Sequence, residues 1–402
     1  LIEEHDLAAQ LFDHAKRGHL ELFEPLRGGL SVQFFHMRIA EVLAAEQLAD
    51  QAAGIDNALI RSVTSEATRN QGLVECLRFL LQILMAQQEA QSRTPAQLVN
   101  ARTLRFDSTL HGRGEEHFST WIRAVPRQLA GLKVHLGGDE IANDGAVAIG
   151  EVLRTLSQLQ ELQLHLQHTR FTDVGATAIG NGFGMLRKLE SIDLNLCGNA
   201  VGDIGLSTIC KNLSSFQHAQ KILLNFEGTR VTDSGARVIG NSLGVMQQAR
   251  KLELNLRSTR VGDTGAIAVG QRLGALDQLL RLHLTFTNTL VGNSGVTGIC
   301  SGLSALTKLE TLLLNFTDCK VGSAVGAISN CLAKMERLRG FSLSLAGSRV
   351  FDNDAMTIGN ALKTLQQLEL VALDFRDSAV HGETLDSIRS ILNNKVVKSQ
   401  VV

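Results

Sequence analysis

Two short segments of this chain contain residue types that could bind a metal ion or a nucleotide: one is rich in histidine and glutamate, the other in glycine. The segment His111 to His117 reads HGRGEEH. It holds possible zinc ligands but lacks the H-E-x-x-H order that places two histidines on one helical face. Gly180 to Gly184 is rich in glycine but has neither the G-x-G-x-x-G spacing nor the G-x-x-x-x-G-K-[ST] loop that cradles phosphates. Neither segment therefore predicts a metal or nucleotide site.

Two further histidines, His135 and His165, lie 30 residues apart and could share a zinc ion. A zinc site needs three or four ligands, and the next residue at this spacing is Asn195, which is a poor zinc ligand. We interpret the pair as surface histidines. No nucleophile–base pair was found in the N-terminal region either, so the sequence predicts no enzyme, no metal and no cofactor.

The composition limits the class of partner and of compartment. The 402 residues carry a formal net charge of −1, which gives no overall attraction to nucleic acid or to an anionic membrane. No run approaches the roughly 18 apolar residues of a transmembrane segment. The six cysteines form no CxxC pair, which favours small buried thiols and an intracellular, reducing compartment. We expect the cytoplasm, or an organelle interior if an N-terminal segment was removed before Leu1.

The elements that must position these residues repeat along the chain. Lys251 to Gln278 begins with leucines at every second position, which is typical of a strand with one buried face. A Val-Gly-Asp turn follows, and apolar residues then return at helical spacing. Asp263 in this turn is predicted to cap the start of its own helix. Each unit thus reads strand, turn, helix.

The first apolar residue of this strand recurs at a nearly fixed period. Successive separations are 30 residues six times, then 29, then 30, and a degenerate copy with Leu104 and Phe106 precedes them. One such unit cannot bury its own apolar face, but a stack of units can. The equivalent residues are Leu132, Leu162, Ile192, Ile222, Leu252, Leu282, Leu312, Phe341 and Val371.

The residues between the strand leucines must point outward, because side chains alternate across a strand. One outward column is polar throughout, and it tiles a surface because adjacent strands lie about 4.8 Å apart. A further column past each strand, with Thr169 and Asn199 among its members, is predicted to bind backbone groups. The candidate partner-binding residues, on the concave face, are His135, His165, Asn195, Asn225, Asn255, Thr285 and Asn315.

Basic residues occupy another column, just before each turn. Three of them are followed three residues later by an aspartate. Two interpretations stay open: local Arg–Asp pairs along a solvated rim, each worth under about 1 kcal/mol, or a basic ridge for an acidic partner. The interleaved carboxylates count against a nucleic-acid surface. The candidate basic ridge comprises Arg170, Arg230, Arg260, Lys320 and Arg349.

Residues 1–100 do not follow the repeat and are predicted to form an α-helical N-terminal cap. Their most apolar segment, Leu73 to Met85, is too short to span a bilayer. It is interpreted either as a core helix of the cap or as a docking helix for a partner.

The repeat resembles a known family. Leu279-x-x-Leu282-x-Leu284 matches the leucine-rich repeat signature, and the Val-Gly-Asp-x-Gly-Ala turn entering a helix resembles the ribonuclease-inhibitor-like subclass. The resemblance implies an α/β solenoid, a horseshoe with an inner parallel β-sheet and outer helices. The domains predicted are the helical cap of residues 1–100, about nine to ten repeats over residues 101–391, and a C-terminal tail of residues 392–402.

Two functions remain open. The first is a non-catalytic scaffold that binds other proteins, as a structural or accessory subunit of a larger assembly, through the concave sheet or the Leu73 to Met85 segment. The motivation is the extended surface that a solenoid offers. The alternative is a regulator of an enzyme, of the GTPase-activating or inhibitor type, that acts through the solenoid surface. Nucleic acid is not an expected partner.

Overall fold

The computed structural model describes residues 103–108, 122, 129–137, 142–393 and 398–401. The chain divides into two compact units, residues 1–104 and residues 105–402, and the second unit holds the array. The predicted helical cap with its Leu73 to Met85 segment, and the His111 to His117 segment, lie outside the described residues.

The described strands form one sheet whose spatial order follows the order of the chain. Strands β2 to β11 pair in parallel. The register is the predicted one, since Leu132 lies opposite Leu162 and Ile222 lies opposite Leu252. The strands are β1 Thr103–Ser108, β2 Gly131–Leu136, β3 Glu161–His165, β4 Ser191–Asn195, β5 Lys221–Asn225, β6 Lys251–Asn255, β7 Arg281–Thr285, β8 Thr311–Asn315, β9 Gly340–Ser344, β10 Leu370–Asp374 and β11 Lys398–Val401. Strand β11 continues the sheet into the segment predicted as a C-terminal tail.

An α-helix follows each strand from β2 to β10, and consecutive helices pack against one another. This alternation confirms the predicted α/β solenoid. No helix within the described ranges is both long and apolar enough to cross a bilayer. The helices are α1 Ala142–Leu153, α2 Asp173–Phe183, α3 Asp203–Leu213, α4 Asp233–Leu243, α5 Asp263–Leu273, α6 Asn293–Leu303, α7 Val325–Leu332, α8 Asp352–Thr364 and α9 Gly382–Asn393.

The core lies between the sheet and the helices. The inward strand residues, such as Leu252 and Leu254, are buried, and the rings of Phe286 and Phe316 stack with their centroids 5.9 Å apart. Glycines recur at one position of the helices, at Gly150, Gly180, Gly240 and Gly270, and neighbouring helices approach closely there. A Cβ added at Gly180 would lie 2.6 Å from the backbone nitrogen of Ile209, so a side chain there would push α2 away from α3.

The aspartate at the start of a helix holds the next repeat and not its own helix. Asp263 was predicted to cap α5, but Gly262 is the N-cap and Asp263 is the first helical residue. Its Oδ1 accepts hydrogen bonds from the backbone N–H groups of Gly292, at 2.7 Å, and Gly295, at 2.8 Å. Both groups belong to the start of α6. The prediction that Asp263 caps its own helix was therefore wrong, because the carboxylate accepts the free N–H groups at the start of the following helix.

The same contact recurs between repeats, and we call it the helix-start ladder. In the one unit of 29 residues, Ser323 takes the place of the acid and α7 begins only at Val325. The N–H of Phe351 is bound instead by Asp354 Oδ2 of its own helix, at 3.1 Å, so a local bond replaces the missing one. The ladder acceptors are Asn143, Asp173, Asp203, Asp233, Asp263, Asn293 and Asp352.

Removing one ladder carboxylate should destabilise the array. We expect Asp263→Ala to lower the free energy of unfolding by about 1–2 kcal/mol, because two N–H groups lose their acceptor and the helix dipole loses a charge. Asp263→Asn is the matched control, since Asn143 binds Thr172 and Gly175 in the same way; it should cost only about 0.5 kcal/mol. Urea unfolding followed by circular dichroism measures both. Equal losses in the two variants would contradict the ladder.

Asp352 should make part of the stability depend on pH. Its carboxylate accepts a hydrogen bond from the backbone N–H of His381 at 2.8 Å. This bond, with those from the side chains of Thr384 and His381, lowers the pKa of Asp352 from 3.8 to about 2. Between these values the unfolded chain binds more protons than the folded chain, so the contribution is complete above pH 3.8 and is lost as the pH falls toward 2.

The urea midpoints of the wild type and of Asp352→Asn should therefore converge as the solution is acidified across this range. The difference between the two proteins isolates Asp352 from the other carboxyl groups, which titrate in both. A gap that stays constant throughout the acidification would show that this carboxylate does not couple to folding.

A second set of contacts forms where the chain leaves each strand. As predicted, short side chains here bind backbone carbonyls: Thr229 Oγ1 donates to the carbonyl oxygen of Phe226 at 2.6 Å, within its own repeat. Asn199 reaches further. Its Nδ2 donates to the carbonyl oxygen of Leu166 at 2.6 Å, and its Oδ1 accepts from the N–H of Thr169 at 3.1 Å. Asparagine thus crosses between repeats where threonine binds locally.

Candidate protein-interaction surfaces

One face of the sheet covers the core and the other carries outward side chains. Along β3 to β6 the strand residues alternate between half-buried and fully buried. We call the outward surface of β2 to β10 the open sheet face. All seven candidate partner-binding residues lie on it, and each stands opposite the next in the strand register: His135, His165, Asn195, Asn225, Asn255, Thr285 and Asn315.

The asparagines of this column also hold the turns that follow their strands. Oδ1 of Asn225 accepts a hydrogen bond at 3.0 Å from the backbone N–H of Glu227, two residues further on. Asn195, Asn255 and Asn315 make the same bond. Because the carboxamide oxygen is used locally, the N–H groups of the amides are what these asparagines can offer to a partner, although one N–H of Asn255 already donates to Glu227 Oε2 at 3.1 Å.

The two histidines form a polar cluster at the start of the array. The rings of His135 and His165 stack with centroids 4.5 Å apart. His165 Nε2 lies 3.1 Å from Asp193 Oδ1, and Gln163 donates to Asp193 Oδ2 at 3.0 Å. Burial alone would raise the pKa of Asp193, but the hydrogen bond and charge of His165, with Lys221 and Gln163, hold it below its ordinary value. Among the described residues no group of three His, Cys, Asp or Glu side chains could hold a metal ion.

Two leucines point outward from the same face. Leu223 in β5 and Leu313 in β8 are half-buried and occupy equivalent strand positions. His283 occupies that position in β7, and its burial lowers the pKa of the imidazole, which favours the neutral ring. The open sheet face therefore offers apolar as well as polar contact area, the mixture found in protein–protein interfaces.

The candidate basic ridge lies along the rim, which we define as the segment between the end of each strand and the following helix. Rim segments bind one another through the backbone: the N–H of Arg230 donates to the carbonyl oxygen of Val201 at 2.7 Å, and that of Arg260 donates to Val231 at 2.9 Å. These bonds space the rim backbones like adjacent strands, at about 4.8 Å. The ridge residues are all exposed: Arg170, Arg230, Arg260, Lys320 and Arg349.

Local Arg–Asp pairing, one of the two interpretations of this column, is wrong at Arg230 and Arg260. Within residues 142–393 no ion pair joins either arginine to the aspartate three residues later. The carboxylates of Asp233 and Asp263 accept backbone N–H groups of the next repeat instead. These two aspartates therefore belong to the helix-start ladder and do not pair with the arginines.

Two exposed apolar side chains on the rim had escaped the sequence analysis. Leu290 is 67% exposed and Phe351 is 60% exposed. Leu290 occupies the ridge column between Arg260 and Lys320, so a large apolar residue in a mostly basic column was the available signal. Phe351 stands where the six preceding repeats carry threonine or glycine, and that departure would have identified it.

Part of one repeat matches the model of a known protein family. Residues 249–270, which include β6 and most of α5, match the family model described as Leucine Rich repeat. No curated protein matches the chain in sequence.

Similar solved structures include two internalins of Listeria monocytogenes. Internalin C2 has 16% identity and a TM-score of 0.35, over 63% of this chain and 84% of that one. Internalin inlF has 14% identity and a TM-score of 0.40, over 79% of this chain and 88% of that one. The actin-binding site 2 of leiomodin-1 has 17% identity and a TM-score of 0.30, over 40% of this chain and 83% of that one.

Proposed function

We propose that this leucine-rich repeat protein is a non-catalytic scaffold that binds other proteins through its open sheet face, as a structural or accessory subunit of a larger assembly. The observation that carries the proposal is the alternation of buried and half-buried residues along successive strands in one register. It leaves a continuous row of outward side chains on a backbone that hydrogen bonds hold in place. Solenoids offer such extended surfaces for recognition.

The chemistry of this surface supports a protein partner. Asparagine amide groups provide hydrogen-bond donors, and Leu223 and Leu313 provide apolar area, while Lys251 and Glu253 form an ion pair at 2.8 Å that adds little net charge. A surface on fixed strands loses little conformational entropy when a partner binds. Mixed polar and apolar contact on a rigid face fits protein recognition better than the binding of a single small molecule.

Purification of the tagged full-length chain from its native source, followed by cross-linking of the complex, tests the proposal. The double variant Leu223→Glu/Leu313→Glu should lose the wild-type partner, because it places two carboxylates in the open sheet face. Arg237→Glu, on the exposed side of α4, is the control and should retain it. Cross-links confined to the helices, or a partner retained by the double variant, would refute binding through the open sheet face.

We also propose that the array belongs to the ribonuclease-inhibitor-like subclass and works in a reducing, intracellular compartment. The α-helix in every unit from β2 to β10 supports the subclass. The compartment is supported by Cys300 and Cys331, which are buried close to one another and form no disulfide bond. Neighbouring thiols of this kind persist where glutathione and thioredoxin keep cysteines reduced.

A further inference from the structure

The basic ridge carries charge that its own repeats do not neutralise. Arg230, Arg260, Lys320 and Arg349 are exposed and form no ion pair with any described residue. The nearest acidic column is the helix-start ladder, whose carboxylates are bound to backbone N–H groups. These cations are therefore available to an external anion, and pairing with it would not break a contact that the fold uses.

Two exposed apolar side chains lie in or beside the ridge. Leu290 stands between Arg260 and Lys320, and Phe351 lies two residues after Arg349; both are more than half exposed. A phosphate polymer would make little use of a leucine or a phenylalanine at these positions. A protein segment that combines carboxylates with apolar residues would use both kinds of side chain.

The spacing of the ridge matches the spacing of one helical face. From Arg230 to Lys320 the rim backbones are joined by hydrogen bonds between repeats, which sets a pitch of about 4.8 Å. Side chains on one face of an α-helix recur about every 5.4 Å. A helix lying across the repeats can therefore present one side chain to each of several successive rim positions.

We propose that the rim binds an acidic, amphipathic helical segment of a partner protein. Its carboxylates pair with Arg230, Arg260, Lys320 and Arg349, and an apolar residue in the middle of the same helical face packs on Leu290. This inference rests on the proposed scaffold role but uses a surface distinct from the open sheet face. Nucleic acid is a poorer fit, because its phosphate backbone offers no apolar group to pack on the exposed Leu290.

A labelled peptide tests the inference with the full-length chain. The probe is a helix-prone peptide of about five turns with glutamates along one face and a leucine at the centre of that face. Fluorescence anisotropy gives its Kd, and a scrambled peptide of the same composition is the reference. We expect the designed peptide to bind at least about tenfold more tightly than the scrambled one, and to weaken at least about fivefold when sodium chloride rises from about 50 to 300 mM.

Matched variants locate the contact. Arg230→Glu/Arg260→Glu should weaken binding at least about tenfold, because each pairing becomes a repulsion, and Leu290→Ala should weaken it about threefold. Arg250→Glu/Arg281→Glu reverses the same amount of charge at the opposite ends of the strands, where both residues are exposed, and should change Kd less than about twofold. Unchanged thermal midpoints show that the variants are folded.

Three results would overturn the inference: no binding of the designed peptide, equal binding of the scrambled peptide, or equal weakening by the two charge reversals. Tighter binding of a short DNA duplex than of the peptide, lost in Arg230→Glu/Arg260→Glu, would assign the ridge to nucleic acid instead. The scaffold proposal fails separately, when Leu223→Glu/Leu313→Glu keeps the native partner. A native partner lost in that variant, together with a peptide that does not bind, refutes only the rim.

Discussion

Gly302→Ala is expected to lower the free energy of unfolding by about 3 kcal/mol, the upper part of the range for overpacked sites. Gly302 lies near the end of α6, and a Cβ there would overlap the carbonyl oxygen of Gly270 in α5 and lie 3.0 Å from the backbone nitrogen of Gln271. Backbone atoms cannot rotate away as the end of a side chain can. The methyl group can be accommodated only if the two helices separate, which opens the core between neighbouring repeats.

Gly326→Ala is the control for Gly302→Ala. Gly326 lies in α7, and a Cβ there would meet nothing within 4 Å. The same substitution should therefore stabilise the protein by about 0.5–1 kcal/mol, since alanine favours the helix and restricts the unfolded chain. Urea unfolding monitored by circular dichroism separates the two. A Gly302→Ala protein that unfolds at the wild-type urea concentration would show that the helices can separate at little cost.

Asn199→Ala is expected to cost about 2–3 kcal/mol. Asn199 is 2% exposed and Thr169, whose N–H it binds, is 1% exposed. Truncation leaves that buried N–H without an acceptor, removes the bond from Nδ2 to the carbonyl oxygen of Leu166, and leaves a small cavity. An unsatisfied buried polar group alone costs about 1–3 kcal/mol.

Asn199→Thr is the matched variant, since threonine stands at this position in the following repeats, at Thr229 and Thr259. Its hydroxyl should bind the carbonyl oxygen of Leu196, as Thr229 binds Phe226. We expect about 1–2 kcal/mol of loss, because the N–H of Thr169 still loses its acceptor, whereas the hydroxyl restores a local bond and leaves no cavity. The comparison uses urea midpoints at constant pH. Because threonine fills nearly the same volume as asparagine, a loss as large as that of Asn199→Ala would mean that neither the local hydroxyl bond nor the filled volume contributes, and that the bonds across the repeat boundary account for the whole effect.

The period of the leucines was enough to predict the sheet and its register. Leu162, Ile192, Ile222 and Leu252 recur at one spacing, and a one-residue slip would turn every buried side chain toward solvent. The outward column follows from the same argument, because side chains alternate across a strand. The periodic apolar pattern therefore carried the prediction of both the array and the open sheet face.

Contacts between repeats were not predictable in the same way. A turn aspartate followed by a helix is read as a local cap, and the partner of Asp263 lies 29 residues further along the chain. The local interpretation of the Arg–Asp pattern failed for the same reason, since the carboxylate was already occupied across the repeat boundary. Leu290 was missed because one leucine in a leucine-rich chain is not unusual until its exposure is known.

The helix-start ladder gives the array a direction. Wherever the ladder is present, a helix start takes its acceptor from the preceding repeat, as α6 takes it from Asp263. The break before α8 is the exception, since Phe351 is bound by Asp354 of its own helix. A ribosome synthesises the repeats in that same order, so the acceptor side chain of a ladder contact is made before the helix that uses it. In terms of this hydrogen bond, removing repeats from the C-terminal end leaves an acceptor side chain without its donors. Removing repeats from the N-terminal end leaves the backbone N–H groups of a helix start without their acceptor.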